Sequence, residues 1–186
     1  APFSDFCASR SVPFFLRKYP ILDIIATRKE RSPCSLCATL RRGILSSATV
    51  EEGYNVLALG HNFDDAIETA FLNLLETGRF KSFQPKIRQT RSSIFVIRPL
   101  VFASAEAIRD EAIRLGLPVQ KNPCPYGEDT RREDVRRLIR SMSAEYPNIR
   151  NNIMHALTSI DASDSWRGEP SPLLYESEES RDDRKQ

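Results

Sequence analysis

Cys34 and Cys37 are three residues apart, directly after Pro33, and Cys124 stands in an Asn-Pro-Cys-Pro loop. Cysteines at this spacing on the start of a helix turn both thiols towards one ligand. The helix N-terminus also favours the thiolate form that binds metal. A Cys-x-x-Cys pair by itself fits zinc, an iron–sulfur centre, a redox pair or coincidence. Structural zinc takes four protein ligands. No fourth ligand is evident beside these three, so the set reads as an incompletely ligated centre. An iron with an open position is what chemistry on sulfur requires. The plain alternative is a buried Cys124 beside a redox pair. Cys7 reads as a core residue.

A second constellation runs Leu59-Gly60-His61-Asn62-Phe63-Asp64-Asp65-Ala66-Ile67-Glu68-Thr69. Gly60 permits close approach of the backbone to a ligand. Asp64 and Asp65, at the start of a helix, are favoured by its dipole and can hold Mg²⁺ near phosphates. Successive helical residues diverge by about 100°, so only one of the two points squarely into a site. The plain alternative is that Asp64 caps the helix while Asp65 and Glu68 are solvated. Arg41 and Arg42 follow one turn after Cys37, where a cation balances phosphate charge. Arg132, Arg136 and Arg140 are four apart on one helix face. That face suits RNA phosphates, or is simply solvated.

These residues need elements to hold them. Leu36, Leu40, Ile44, Leu45 and Ala48 recur at helical spacing and predict a helix from Ser35 to about Glu52, ended by Gly53. Tyr54–Leu59 is the short apolar run of a buried parallel strand. A helix follows from Asp64 to about Glu76, with Ala66, Ile67, Ala70, Phe71 and Leu74 inward and Gly78 as its stop. Further along, Ser93–Ile97 reads as a strand and Ser104 caps a helix through Leu115. Thr130 caps another to about Tyr146, with Glu133 completing a capping box and Val135, Leu138, Ile139 and Met142 as its buried stripe. A last helix runs from Pro147 to about Ile160. Val12–Leu16 and Leu117–Val119 read as short strands, while residues 17–33 and 79–93 show no clear period. Strand–helix alternation implies an α/β architecture with a parallel sheet. Ligands of such sheets sit at the carboxyl ends of the strands, where Gly60, His61, Asp64 and Asp65 fall.

The chain has 186 residues, 40% hydrophobic and 28% charged. No run approaches the ~20 apolar residues of a membrane span, and the start does not read as a signal peptide. The expectation is a cytoplasmic chain without a membrane partner, an organellar address staying open. Residues 161–186 hold eight acidic and four basic side chains against a total net charge of +2, leaving the remainder at +6. A mildly basic body suits a polyanion. The acidic end reads as a disordered tail. Three regions are therefore expected: 1–120 as an α/β portion, 121–160 as the cysteine loop with C-terminal helices, and 161–186 as the tail.

The order Pro-Cys-Ser-Leu-Cys-x-x-x-Arg-Arg-Gly, Leu-Gly-His-Asn-x-Asp-Asp-x-x-Glu-Thr, Arg-Pro-Leu and Asn-Pro-Cys-Pro resembles the tRNA 2-thiocytidine synthetase family of PP-loop enzymes over roughly residues 10–160. The resemblance implies a Rossmann-like fold of the adenine nucleotide alpha hydrolase kind. It implies ATP and Mg²⁺, adenylation of the C2 oxygen of an anticodon-loop cytidine in tRNA, and displacement of AMP by sulfur carried on the open iron of a 4Fe–4S cluster. By motif position Cys34, Cys37 and Cys124 match the cluster ligands, and Gly60 matches a nucleotide-contacting glycine with His61 and Asp64 beside it. Asp65 matches the catalytic acidic residue, and Arg41 stands where related thiolases carry a Lys or Arg. The implied partners are tRNA and a sulfur donor, either a cysteine desulfurase or sulfide; a second copy of the chain is a further candidate. The family's Ser-Gly-Gly-x-Asp-Ser loop has no counterpart, since the sequence holds no Gly-Gly dipeptide. The expectation is a fragment that lacks the first strands, with a degenerate, non-catalytic tRNA- or metal-binding remnant as the alternative.

Overall fold

The computed structural model describes residues 2–29, 32–120, 122, 124–126 and 131–159. The expected tail, the Thr130 cap and the end of the last helix at Ile160 lie outside them. Within them the order is α1 (Pro2–Ser9), α2 (Ile21–Arg28), α3 (Pro33–Glu51), β1 (Val56–Ala58), α4 (Phe63–Thr77), β2 (Lys86–Arg88), β3 (Phe95–Ile97), α5 (Ala105–Arg114), α6 (Arg131–Glu145) and α7 (Ile149–Thr158). None of these helices is long and apolar enough to cross a membrane.

The sheet has the order β1-β3-β2. Strand β3 runs parallel to β1, with Leu57 opposite Val96, as alternation with helices requires. Strand β2 runs antiparallel to β3, with Ile87 opposite Val96. The sheet is therefore mixed, not wholly parallel, and β2 arises in the stretch 79–93 that had no readable period. Its polar sequence Lys-Ile-Arg is exposed throughout, as an edge strand allows. Val12–Leu16 and Leu117–Val119 form no strand, although both are apolar, because nothing in the described sheet pairs with them.

Helix α4 is the centre of the fold. Asn62 is its N-cap: the side chain accepts from Asp65 N at 3.0 Å while the Asp65 carboxylate accepts from Asn62 N at 3.0 Å, a reciprocal capping box. The cap thus falls on Asn62, not Asp64. Gly78 ends the helix in the left-handed region at φ 64°, which glycine enters without steric cost. Ile67 packs with Val135, Ile139 and Ile153 from α6 and α7, flanked by Phe63, Phe71 and Ile149. Ala66, Val101 and Met154 form a second cluster with Phe63 and Phe83. Helices α6 and α7, beyond the cysteine loop, therefore share one core with α4.

Two apolar stripes are rotated from their expected positions. On α3 the buried residues are Ser46 and Thr49, while Leu45 is 40% exposed. Ser46 is satisfied inward by Gln89, Oγ to Oε1 2.9 Å. On α4 Leu74 turns outward and Glu68 takes an inward place, only 4% exposed.

Candidate functional site

Strand β1 ends at Ala58, and the chain passes through Leu59, Gly60 and His61 into the Asn62 cap of α4. Gly60 has no left-handed φ, and a Cβ built on it would meet nothing within 4 Å. The fold itself makes no demand for glycine here, so any demand comes from outside the chain. His61 stacks at 45° on Phe83, centroids 4.9 Å apart. The Arg98 guanidinium covers the same Phe83 ring at 4.7 Å. His61 Nδ1 and Arg98 Nε are both buried without a hydrogen-bond partner among the described residues.

The charges around this stack are mostly positive. Burial is the main cause that holds the His61 pKa below its ordinary value. Arg98, Arg132 and Arg41 add to the lowering and Asp65 works against it. Burial and the neighbouring charge of Arg42 likewise lower the Arg98 pKa. Thus Arg41 from α3, Arg98 from the end of β3 and Arg132 from α6 all act on the His61 imidazole, and Arg132 also binds the Asp65 carboxylate. A histidine held towards its neutral form, with a buried ring nitrogen that lacks a partner, stands here among guanidinium groups that suit an anionic ligand.

Asp65 and Asp64 diverge as helical geometry demands. Asp65 stays at the site: besides the cap it accepts from Arg132 Nη1 at 2.9 Å. Asp64 turns to the other side of α4. It accepts from Ala105 N at 2.7 Å, capping α5, and pairs with Arg150. It borders a separate cleft of about 470 Å³ that Ser104, Arg109 and Arg150 also line. The structure gives Asp64 a tertiary bracing role in place of a position beside Asp65.

Glu68, expected in solvent, is the buried anchor of α6. Its Oε1 accepts from Arg136 Nε at 2.8 Å, and its Oε2 is 3.4 Å from Arg132 Nη1. The bond to Glu68 raises the Arg136 pKa further above its ordinary value. Arg136 and Arg140 also pair with Glu133, at 2.7 and 2.8 Å. The arginine face of α6 therefore faces carboxylates, and its reading as a free RNA-phosphate face is corrected. The sequence signal was available: Glu68, four residues after Asp64, sits on the apolar face of α4, where a charge needs a partner.

All four cysteines are free. Cys34 and Cys37 lie in the first turns of α3, which Pro33 opens. The Cys34 thiol donates to the Tyr126 carbonyl at 3.9 Å, and Cys124 N donates to Asn122 Oδ1 at 3.1 Å in an Asx-type turn. The cysteine loop is thus laid against the start of α3. Among the described residues no three His, Cys, Asp or Glu side chains are gathered closely enough to hold a metal ion. The donor set suits iron, three soft free thiols from two adjoining segments. The elements meet, while the thiols do not share one coordination sphere, in keeping with metal sites that are completed by their metal. Phe83 is a member of the site that its residue type alone did not mark out; Arg98 entered only through the Arg-Pro-Leu motif, and Arg132 as one of the α6 arginines and not as the partner of Asp65.

A tRNA-cytidine(32) 2-sulfurtransferase of Anaeromyxobacter dehalogenans is 35% identical over 159 residues, covering 84% of this chain and 55% of its own. One of Pelobacter propionicus is 37% identical over 161 residues, covering 84% and 60%. The chain spans about half the length of the curated relatives it matches. The U34-tRNA thiolase NcsA from Methanococcus maripaludis, solved with its 4Fe–4S cluster, superimposes with a TM-score of 0.64 at 23% identity, covering 86% of this chain and 56% of that one. At that identity the likeness is one of fold. The profile of the PP-loop domain matches residues 3–142, which hold the glycine–histidine turn, the capped carboxylate and all the cysteines, and by that match the chain belongs to the PP-loop domain family.

Proposed function

We propose that this chain carries the acceptor-side half of an ATP-dependent tRNA 2-thiocytidine synthetase. The observation that supports the reading most is the meeting of Gly60, His61 and Asp65 with Arg41, Arg98 and Arg132, on the same α3 that presents Cys34 to the Cys124 loop. Gly60 leaves room for a nucleotide beside the backbone. Arg41 and Arg132 neutralise phosphate charge. His61 keeps a buried, unpartnered Nδ1, which a ligand that displaces its cover would satisfy. Asp65, oriented by Asn62 and Arg132, holds Mg²⁺ or a proton at its carboxylate. Cys34, Cys37 and Cys124 would hold a 4Fe–4S cluster, which when bound supplies sulfur as nucleophile towards an activated cytidine.

The test is anaerobic purification followed by iron, labile sulfide and visible absorption measurements, with tRNA 2-thiocytidine read by nucleoside analysis. The expected result is four irons per chain, lost alike in Cys34→Ala, Cys37→Ala and Cys124→Ala, together with thiolation that Asp65→Asn abolishes. One zinc per chain, or metal lost only on mutating Cys34 or Cys37, would overturn the three-thiolate assignment. Metal and tRNA binding without thiolation would leave a non-catalytic binding protein.

A further inference from the structure

Between Glu76 and Glu106 the sequence has no acidic residue and six basic ones, Arg79, Lys81, Lys86, Arg88, Arg91 and Arg98. Arg98 is turned inward over Phe83. The other five are exposed. Among the described residues none of the five pairs with a carboxylate. Every arginine of α6 does: Arg131 with Glu76, Arg132 with Asp65 and Glu68, Arg136 with Glu68 and Glu133, Arg137 with Asp134 and Arg140 with Glu133. Two basic regions of similar size therefore differ in what they can offer. A paired guanidinium has its charge partly compensated by the carboxylate, so it attracts a phosphate less. An unpaired, hydrated one gives up only water and counterions.

The unpaired set is also held in place and aimed at the site. Asn73 Nδ2 donates to the Lys81 carbonyl at 2.9 Å and Ser82 Oγ to the Ala66 carbonyl at 2.8 Å, pinning the loop to α4. Lys86 then emerges opposite Ile97 and Arg88 opposite Phe95. Being two apart, Lys86 and Arg88 project from the same face of the strand, roughly 7 Å from each other. Lys86 lies over the Phe95 ring at 4.9 Å. Lys86 is at the carboxyl end of β3, next to Arg98 and the His61 stack. Gln89 ties the hairpin to Ser46 of α3, the helix of Arg41 and the cysteines.

We infer that the β2–β3 hairpin and its lead-in loop, through Arg79, Lys81, Lys86, Arg88 and Arg91, form the track that grips the RNA phosphate backbone and leads it to the His61–Asp65 site. This rests on the proposed tRNA substrate and says which face of the protein receives it. RNA fits better than a lipid surface because the cations run along one hairpin and its pinned lead-in loop, whose end lies beside a candidate reaction site. The arginine face of α6 is the weaker candidate, because Glu68, Glu76, Glu133, Asp65 and Asp134 already compensate its charge.

The experiment measures tRNA affinity against salt concentration for the unchanged protein and two variants. One carries Lys81→Gln, Lys86→Gln, Arg88→Gln and Arg91→Gln; the other carries Arg137→Gln and Arg140→Gln. The hairpin variant should lose at least about tenfold in affinity, and its log–log salt slope should shrink by ~0.7–0.9 for each phosphate contact removed. The α6 variant should behave as the parent. A hairpin variant that keeps Lys or Arg at all four positions by exchange of one for the other should bind as the parent, which separates charge from folding. Equal affinity and slope for the Gln hairpin variant, with thiolation intact, would overturn the inference and leave the proposed function standing. A parent that binds vesicles containing phosphatidylserine but not tRNA would overturn both.

Discussion

Replacing Glu68 by Gln keeps the side-chain shape and removes one buried charge. The side chain is 5% exposed, while those of its partners Arg132 and Arg136 are 39% and 47% exposed. At an effective dielectric of ~20, contacts at these distances are worth about 5–6 kcal/mol each before desolvation. Stripping water from the carboxylate cancels most of that, and breaking a fully buried pair costs about 3–5 kcal/mol net. Here the two arginines regain water when released, so the expected loss is nearer ~2 kcal/mol. For a chain of this size that is a fall of ~4–8 °C in Tm. The assay is thermal unfolding followed by far-UV circular dichroism, with urea unfolding as a second measure. Arg137→Ala is the reference, because its partner Asp134 is also exposed and such a pair contributes ~0–0.5 kcal/mol. A Glu68→Gln shift no larger than that of Arg137→Ala would refute the view that Glu68 anchors α6 to α4.

Three further outcomes are expected. Because the folded pKa of His61 lies below its ordinary 6.5, the unfolded chain binds the extra proton first. Stability should therefore fall as pH drops through and below 6.5, levelling once the folded-state pKa is passed; urea midpoints for His61→Gln between pH 7.5 and 5.5 should show a shallower fall, and an unchanged slope would remove His61 from the account. Gly60→Ala should leave folding stability within ~0.5 kcal/mol of the parent, since its Cβ meets open space, yet weaken ATP binding by calorimetry on the order of tenfold. Unaltered affinity would mean that no ligand approaches that backbone. Asp64→Ala should cost about 1–2 kcal/mol in thermal unfolding, as expected for the loss of a helix cap, because it frees Ala105 N and Arg150; no loss would contradict its bracing role.

Much of the frame was legible because local chemistry and tertiary demand coincide there. Gly78, Ser104 and the apolar spacing of α4 fixed element ends to within a residue or two. The glycine–histidine turn could be read for the same reason, since a strand end and a helix start were both marked around it. Helices α1 and α2 were missed because each has only eight residues, too few to establish a period. Strand β2 was missed because its identity lies in its pairing with β3 and not in Lys-Ile-Arg itself. The reading of α6 failed differently. Helical spacing correctly put Arg132 and Arg136 on one face, but whether that face meets water or a carboxylate depends on α4, far away in sequence. Phe83 joined the site by the same non-local route, through stacking between His61 and Arg98.

The two borders of the three-stranded sheet are dressed unequally. The outer rim of β2 presents Lys86 and Arg88, whose like charges resist a second copy of the same rim. The rim of β1 presents Val56, 43% exposed, with no described strand beyond it. Among the described residues the sheet therefore keeps one uncharged border, and a further strand, from the same polypeptide or from another molecule, pairs there more readily than along β2.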